Sequence, residues 1–145
     1  MAVSRVMVEE LLDEMEVVYF CRVDRGTSQW VLVTAEGPVY LSLSADGENL
    51  CFQSSDLVDL SSLAATPLQQ LQAKLLHRNN LLVIGHYSIH DKKVFFESWL
   101  VVKDSVITKM QLEFYLGGTV FGIEWFRNQF RPLQVTDVNT AIQED

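Results

Sequence analysis

LLVIGHYSIHDKKVFFESWLVVKDSVITKMQLEFYLGGTVFGIEWFRNQF, residues 81–130, decides the fold. LLVIGHYSI and VFFESWLVV flank the polar run His90-Asp91-Lys92-Lys93, the pattern of two antiparallel strands joined by a tight turn. Side chains alternate along an extended chain, so Ile84, His86, Ser88 and His90 share one face while Val83, Gly85, Tyr87 and Ile89 share the other. On the partner strand Val94, Phe96, Ser98, Leu100 and Val102 alternate with Phe95, Glu97, Trp99 and Val101. Apolar groups therefore stand on both faces. A sheet covered from one side only shows a cleaner alternation, which predicts a cover on the second face as well. Thr108 and Gln111 form a capping box that opens a helix to about Phe130, roughly 34 Å long at 1.5 Å per residue, and Arg131-Pro132 stop it.

That helix carries two apolar stripes. Leu112, Tyr115, Leu116, Val120, Ile123, Phe126 and Phe130 fall on one broad side, as a core-facing helix requires. Met110, Phe114, Phe121 and Trp125 lie on nearly the opposite side, and one helix cannot press both sides onto one sheet. A row of exposed aromatics is unusual for a monomer, so the second stripe calls for a cover: another helix or the C-terminal tail, a second copy of the chain, or an apolar client segment. Gly118 and Gly122 beside it allow another backbone to approach closely, although each glycine costs about 1 kcal/mol relative to alanine in a helix interior. Gly117 next to Gly118 equally suits a kink.

Upstream, Ser4 caps a helix to about Glu16, with Val3, Met7, Leu11 and Met15 on one side and Val8 and Leu12 beside them. The opposite side, Glu9, Glu10, Asp13, Glu14 and Glu16, reads as a solvated face. VVYFCRVDR (17–25) and QWVLVTA (29–35) form a hairpin across Gly26-Thr27, and Glu36-Gly37-Pro38 turns the chain into a third strand, VYLSLSA. After Asp46-Gly47, LCFQS (50–54) is either a fourth strand or the far arm of a long bent hairpin. Residues 55–65 show no clear period and read as irregular. Thr66, Pro67 and Gln69 predict a capped helix from about Pro67 to Arg78, closed by Asn79-Asn80, with Leu68, Leu71, Leu75 and Leu76 as its core stripe.

With 145 residues, 48% hydrophobic and 21% charged, the chain fits one domain able to bury a core without disulfides or metals. The expected domain spans residues 1–133, followed by a flexible tail, 134–145. A net charge of −8 with no Lys/Arg run argues against nucleic acid and anionic membrane as partners. The N-terminus lacks the pattern of a signal peptide, and no segment has the length and apolarity of a membrane span, so a soluble, cytoplasmic protein is expected. Cys21 and Cys51 sit in strand-like apolar runs and read as reduced core thiols.

No catalytic constellation is visible: there is no phosphate-binding glycine loop, nucleophile elbow or paired-cysteine motif. His86 and His90 lie about 13 Å apart along a strand, too far to share one metal ion, so neither metal nor cofactor is expected. His77 reads as a helix-end surface residue, and Asp46-Gly47-Glu48-Asn49 as a turn rather than a calcium loop. An alternative placement of function is a small-ligand or enzymatic cavity between sheet and C-terminal helix, lined by His86, Tyr87 and Trp99.

LQQLQAKLLHRNNLLVIGHYSIHDKKVFFESWLVV (68–102) followed by ITKMQLEFYLGGTVFGIEWFRNQFRPL (107–133) resembles the YbjN family, of the type III secretion chaperone-like fold. The shared features are a helix, a glycine-containing strand, a polar turn, an apolar strand and a closing helix. LCFQS departs from the three strands usual before the middle helix. The resemblance implies an α+β domain, an antiparallel sheet with helices packed against it in the order α-β-β-β-(β)-α-β-β-α, commonly as a homodimer. Secretion chaperones of this fold hold partly unfolded client segments on apolar patches, and YbjN-like proteins are described as candidate regulators with no agreed activity. The expected function is thus a non-enzymatic, chaperone-like or regulatory adaptor that binds protein, with Met110, Phe114, Gly118, Phe121, Gly122 and Trp125 as its candidate contacts.

Overall fold

The computed structural model describes residues 2–24, 27–102 and 106–131. In chain order it contains α1 (Arg5–Glu14), β1 (Tyr19–Asp24), β2 (Thr27–Thr34), β3 (Gly37–Leu43), β4 (Asn49–Ser54), β5 (Val58–Asp59), a 3-10 turn (Leu60–Ser62), α2 (Ala65–Leu81), β6 (His86–His90), β7 (Lys93–Val101) and α3 (Lys109–Gln129). All pairings are antiparallel: β1 to β4 form a meander, β4 pairs with β7, β5 follows β4 along the same edge of β7, and β6 takes the other edge. This is the α+β architecture expected.

The local signals at the helix ends are met where a side chain can reach a free backbone donor. Ser4 accepts from the Met7 amide at 3.3 Å, and Thr108 and Gln111 complete the capping box of α3. Beyond Glu14, the Val17 amide donates to the Leu12 carbonyl and that of Glu16 to Asp13, a C-terminal closure that places Glu16 at φ 59°. The β6–β7 turn is tight as expected, with Asp91 and Lys92 both at positive φ, the geometry whose twist matches a two-residue hairpin.

One alternative is settled and three readings are corrected. LCFQS is a full strand, β4, in the middle of the sheet: Leu50, Phe52 and Ser54 face the core, and both edges are hydrogen-bonded. Residues 55–65 are partly regular, since the Leu57 amide donates to the Val94 carbonyl and that of Leu60 to Lys92, which extends the β7 ladder. The middle helix starts at Ala65 with no side-chain cap, so the Thr66 box does not form; Pro67 falls within the first turn, where amides have no helical partner and a missing donor costs nothing. Nor does Asn79 end that helix. Its amide instead donates to the Tyr87 carbonyl at 2.9 Å and accepts from the Tyr87 amide at 2.7 Å, standing in for a neighbouring strand on the outer edge of β6.

The core lies between one face of the sheet and the helices. Trp30, Leu32, Val39, Leu41, Leu50, Phe52, Val94 and Phe96 point inward from the strands and meet Val8, Leu12, Leu112, Ile123 and Phe126. The Trp30 indole donates to Glu9 at 2.9 Å, tying α1 to the sheet and holding the Glu9 carboxyl below its ordinary range. Residues on the opposite face, among them Val18, Phe20, Val33, Trp99 and Val101, are exposed, which corrects the expectation that both faces are covered. Apolar alternation on two faces indicated a second cover that the described residues do not provide. Cys21 is also exposed rather than core, because β1 is the edge strand; Cys51 is half-buried, and both thiols are free. The expected tail, 134–145, lies outside the described residues.

Candidate protein-binding surfaces

α3 divides as its sequence pattern says. Leu112, Ile123, Phe126 and Phe130 are buried, with Tyr115 stacked on Phe52 at 6.3 Å. On the outward side Met110 is 79% exposed, Phe114 64% and Phe121 57%. The helix runs unbroken through Gly117-Gly118, so the glycines do not mark a kink.

The glycines serve different purposes. Gly122 faces inward: the Tyr87 hydroxyl donates to its carbonyl, and the Phe96 ring occupies the space a Cβ would take, 2.6 Å from that position. It is a core residue and not, as expected, part of an outward contact. Gly118 receives the Ile84 side chain at 3.0 Å, whereas a Cβ on Gly117 would meet nothing within 4 Å. The close approach expected at this pair of positions thus comes from the chain's own Phe96 and Ile84.

Trp125 is half-covered. The Arg78 guanidinium sits 4.7 Å above its ring and 5.9 Å from that of Phe121, while Tyr87 and Phe130 pack against the indole at 5.5 and 6.0 Å. α2 therefore covers only the C-terminal end of the stripe. Next to the uncovered part, Val83, Ile84, Phe114 and Phe121 line an open groove of about 380 Å³, and Val83 is 95% exposed.

The open sheet face has apolar corners around a polar middle. Val18, Phe20 and Val33 form one corner, Trp99 and Val101 the other, and Gln29 donates to Ser42 between them at 3.3 Å. Beside Trp99 lies a polar cluster. Glu97, only 8% exposed, accepts from Ser88 at 2.5 Å and meets the His90 imidazole at 3.0 Å. Burial pushes the Glu97 carboxyl up, but the Ser88 and His90 hydrogen bonds and the nearby histidines outweigh it and leave it below the ordinary range. Burial, assisted by the Glu97 charge, pushes the Cys51 thiol up to about 12, so it stays protonated and unreactive at neutral pH.

The cavity-lining set does not assemble. Tyr87 points into the core, where burial raises its hydroxyl well above the ordinary range, whereas His86 and Trp99 are exposed on the opposite face. Phe96, Phe126 and Tyr87 fill the space between sheet and α3, with the Phe96 ring edge-on to Tyr87 at 4.8 Å. Among the described residues, no three His, Cys, Asp or Glu side chains are grouped as a metal ion requires, and no helix is long and apolar enough to cross a membrane. The signal that the sequence reading missed is Asn79, a polar residue whose edge-capping role depends on β6, a strand that follows it in the chain.

No protein-family model matches the sequence, and no curated protein matches it. Solved structures do. One chain of the ExsC–ExsE complex superposes with a TM-score of 0.62 at 20% identity, covering 87% of this chain and 95% of that one. YbjN from E. coli, named as a candidate transcription regulator, superposes with a TM-score of 0.59 at 13% identity, covering 86% of this chain and 91% of that one. At these identities the likeness speaks for architecture, and it extends over nearly the whole of each chain. With three helices and a seven-stranded antiparallel sheet among the described residues, the chain has the YbjN-like, type III secretion chaperone-like fold.

Proposed function

We propose that the chain is a cytoplasmic, non-enzymatic protein-binding module, a chaperone-like or regulatory adaptor that acts as a homodimer and holds partner segments on apolar surfaces. The observation that carries this reading is the pair of uncovered apolar faces, the α3 stripe of Met110, Phe114 and Phe121 and the open sheet face with Phe20, Trp99 and Val101. Burying a large apolar side chain is worth about 1.5–3 kcal/mol, so a fold that leaves this many on two faces favours association. One of the similar structures is a chain crystallised in a two-protein complex, which supports the same reading.

Phe121→Glu tests it. The side chain lies outside the core, so the variant folds. Light scattering is expected to show loss of the dimer mass, and capture of partners from the native cell extract is expected to fall. Unchanged mass together with unchanged capture refutes the role of this surface.

A further inference from the structure

Alone among the three helices, α2 carries no Asp or Glu, in a chain of net charge −8. Its basic residues are grouped: Lys74, His77 and Arg78 follow the i, i+3, i+4 spacing that puts side chains on one side of a helix. They form the rim of an open pocket of about 410 Å³ between α2 and α3, with Ala73, Leu81 and Trp125 as its apolar lining. An apolar floor with a few polar groups at the edge is how ligand pockets are built. Neither Lys74 nor Arg78 takes part in an ion pair among the described residues. Their charged ends lie against aromatic rings instead, the Lys74 Nζ 5.8 Å from the centre of the Phe130 ring and the Arg78 guanidinium 4.7 Å from that of Trp125. The Arg78 Nε is buried and has no acceptor among the described residues. We infer that this pocket binds a segment of a partner protein in which an Asp or Glu side chain stands next to a large apolar one, the apolar group against Trp125 and Leu81 and the carboxylate on Arg78 and Lys74. This rests on the protein-binding reading above and deepens it by naming the chemistry of the partner.

Charge selects the occupant. An aromatic ring covers the face of a guanidinium, whereas its N–H donors lie in the guanidinium plane, in the fork that matches the two oxygens of a carboxylate. An uncharged apolar segment laid over the pocket would take Lys74 and Arg78 further out of water with no counterion, which works against the gain from apolar contact. A basic segment would add like-charge repulsion. The acid nearest in sequence to Trp125, Glu124, stands about 100° round the helix from it and does not line the pocket. The groove at Phe114 and Phe121 has the opposite character, since Glu113 borders it, so an acidic group is drawn to the α2 end of α3 and not to that one.

The test uses the full chain and short fluorescein-labelled peptides that share the same Leu and Phe positions, flanked by Asp and Glu in one, by Asn and Gln in the second and by Lys in the third. Fluorescence anisotropy measures binding, and the indole N–H signal of Trp125, assigned against Trp125→Phe, reports its place. The acidic peptide is expected to bind about tenfold tighter than the Asn/Gln peptide and to shift the Trp125 signal, while the Lys peptide stays free. An exposed ion pair is worth up to about fivefold in affinity, so Lys74→Glu with His77→Glu, both on exposed positions that leave Arg78 on its ring, is expected to weaken the acidic peptide about tenfold. Equal binding of the acidic and Asn/Gln peptides overturns the inference. Binding of the acidic peptide with Trp125 unmoved and the double variant unchanged places it elsewhere, which overturns the inference while the protein-binding reading stands. No binding by any of the peptides also overturns the inference, and the protein-binding reading falls with it only if the wild type captures nothing from the native cell extract.

Discussion

Replacing Gly117, Gly118 and Gly122 one at a time by alanine makes the same chemical change at neighbouring sites of one helix, with different expected results. Helix propensity favours alanine by about 1 kcal/mol at each position. At Gly117 nothing opposes that gain, and the monomer should be stabilised by about 1 kcal/mol, or about 3 °C in Tm for a chain of this size. At Gly118 the new methyl meets the Ile84 Cγ2 at 3.0 Å, close enough to offset much of the gain, so the variant should stay near wild type. At Gly122 it would stand 2.6 Å from the Phe96 ring, and ordinary contact at 3.4 Å requires the ring to move by roughly 0.8 Å. Phe96 has no room for this. The same ring fills the Cβ space of Gly85, touches Tyr87 and is fully buried.

Overpacking of this kind costs about 1–3 kcal/mol, and displacing the Tyr87 hydroxyl from the Gly122 carbonyl adds about 1 kcal/mol. Against the propensity gain, Gly122→Ala should lose about 1–3 kcal/mol net, roughly 3–9 °C in Tm. Urea unfolding at two protein concentrations is the assay, because any dependence on concentration separates association from folding. A Gly122→Ala variant as stable as wild type would refute the packing of Phe96 against α3, and with it the assignment of which side of α3 faces outward.

Two further outcomes follow from the polar groups. The Glu97 carboxyl is held below its unfolded value, so its contribution is present above the ordinary carboxylate range near pH 4.3 and is lost as pH falls through the folded value; between about pH 5 and 3 the wild type should lose more Tm than Glu97→Gln, and parallel melting curves would count against the Ser88–Glu97–His90 cluster. Asn79→Ala removes two hydrogen bonds to the Tyr87 backbone, an expected loss of about 1–2 kcal/mol with faster hydrogen exchange at the Tyr87 amide, and an amide as protected as in wild type would show that Asn79 does not seal this edge.

The features legible in the sequence are those settled by neighbours along the chain. Thr108 and Gln111 are three residues apart, so their reciprocal cap follows from local geometry; the same holds for Ser4 and for the hairpin turn at Asp91-Lys92. The two stripes of α3 are likewise fixed by helical periodicity, and their opposition alone marked one face as needing a partner. The Thr66 box had an equally good local pattern and did not form, because α2 begins two residues earlier than the cap requires.

The sequence by itself determined the three helices, the main strands and their order, the α+β class and the existence of a second apolar face on α3. Only the tertiary structure decided which groups that face contains. Gly122 and Gly118 look alike in sequence, yet Gly122 belongs to the core because Phe96 arrives from β7 to fill its space. His86, Tyr87 and Trp99 looked like one lining, but register and pleat put Tyr87 on the opposite side of the sheet from the other two. The helices also gather on one face, leaving Phe20, Trp99 and Val101 uncovered, which no single strand pattern could show. The reason is one of range: caps and periodicity act over a few residues, whereas which side of a sheet is covered depends on groups far apart in the chain that meet only after it has folded.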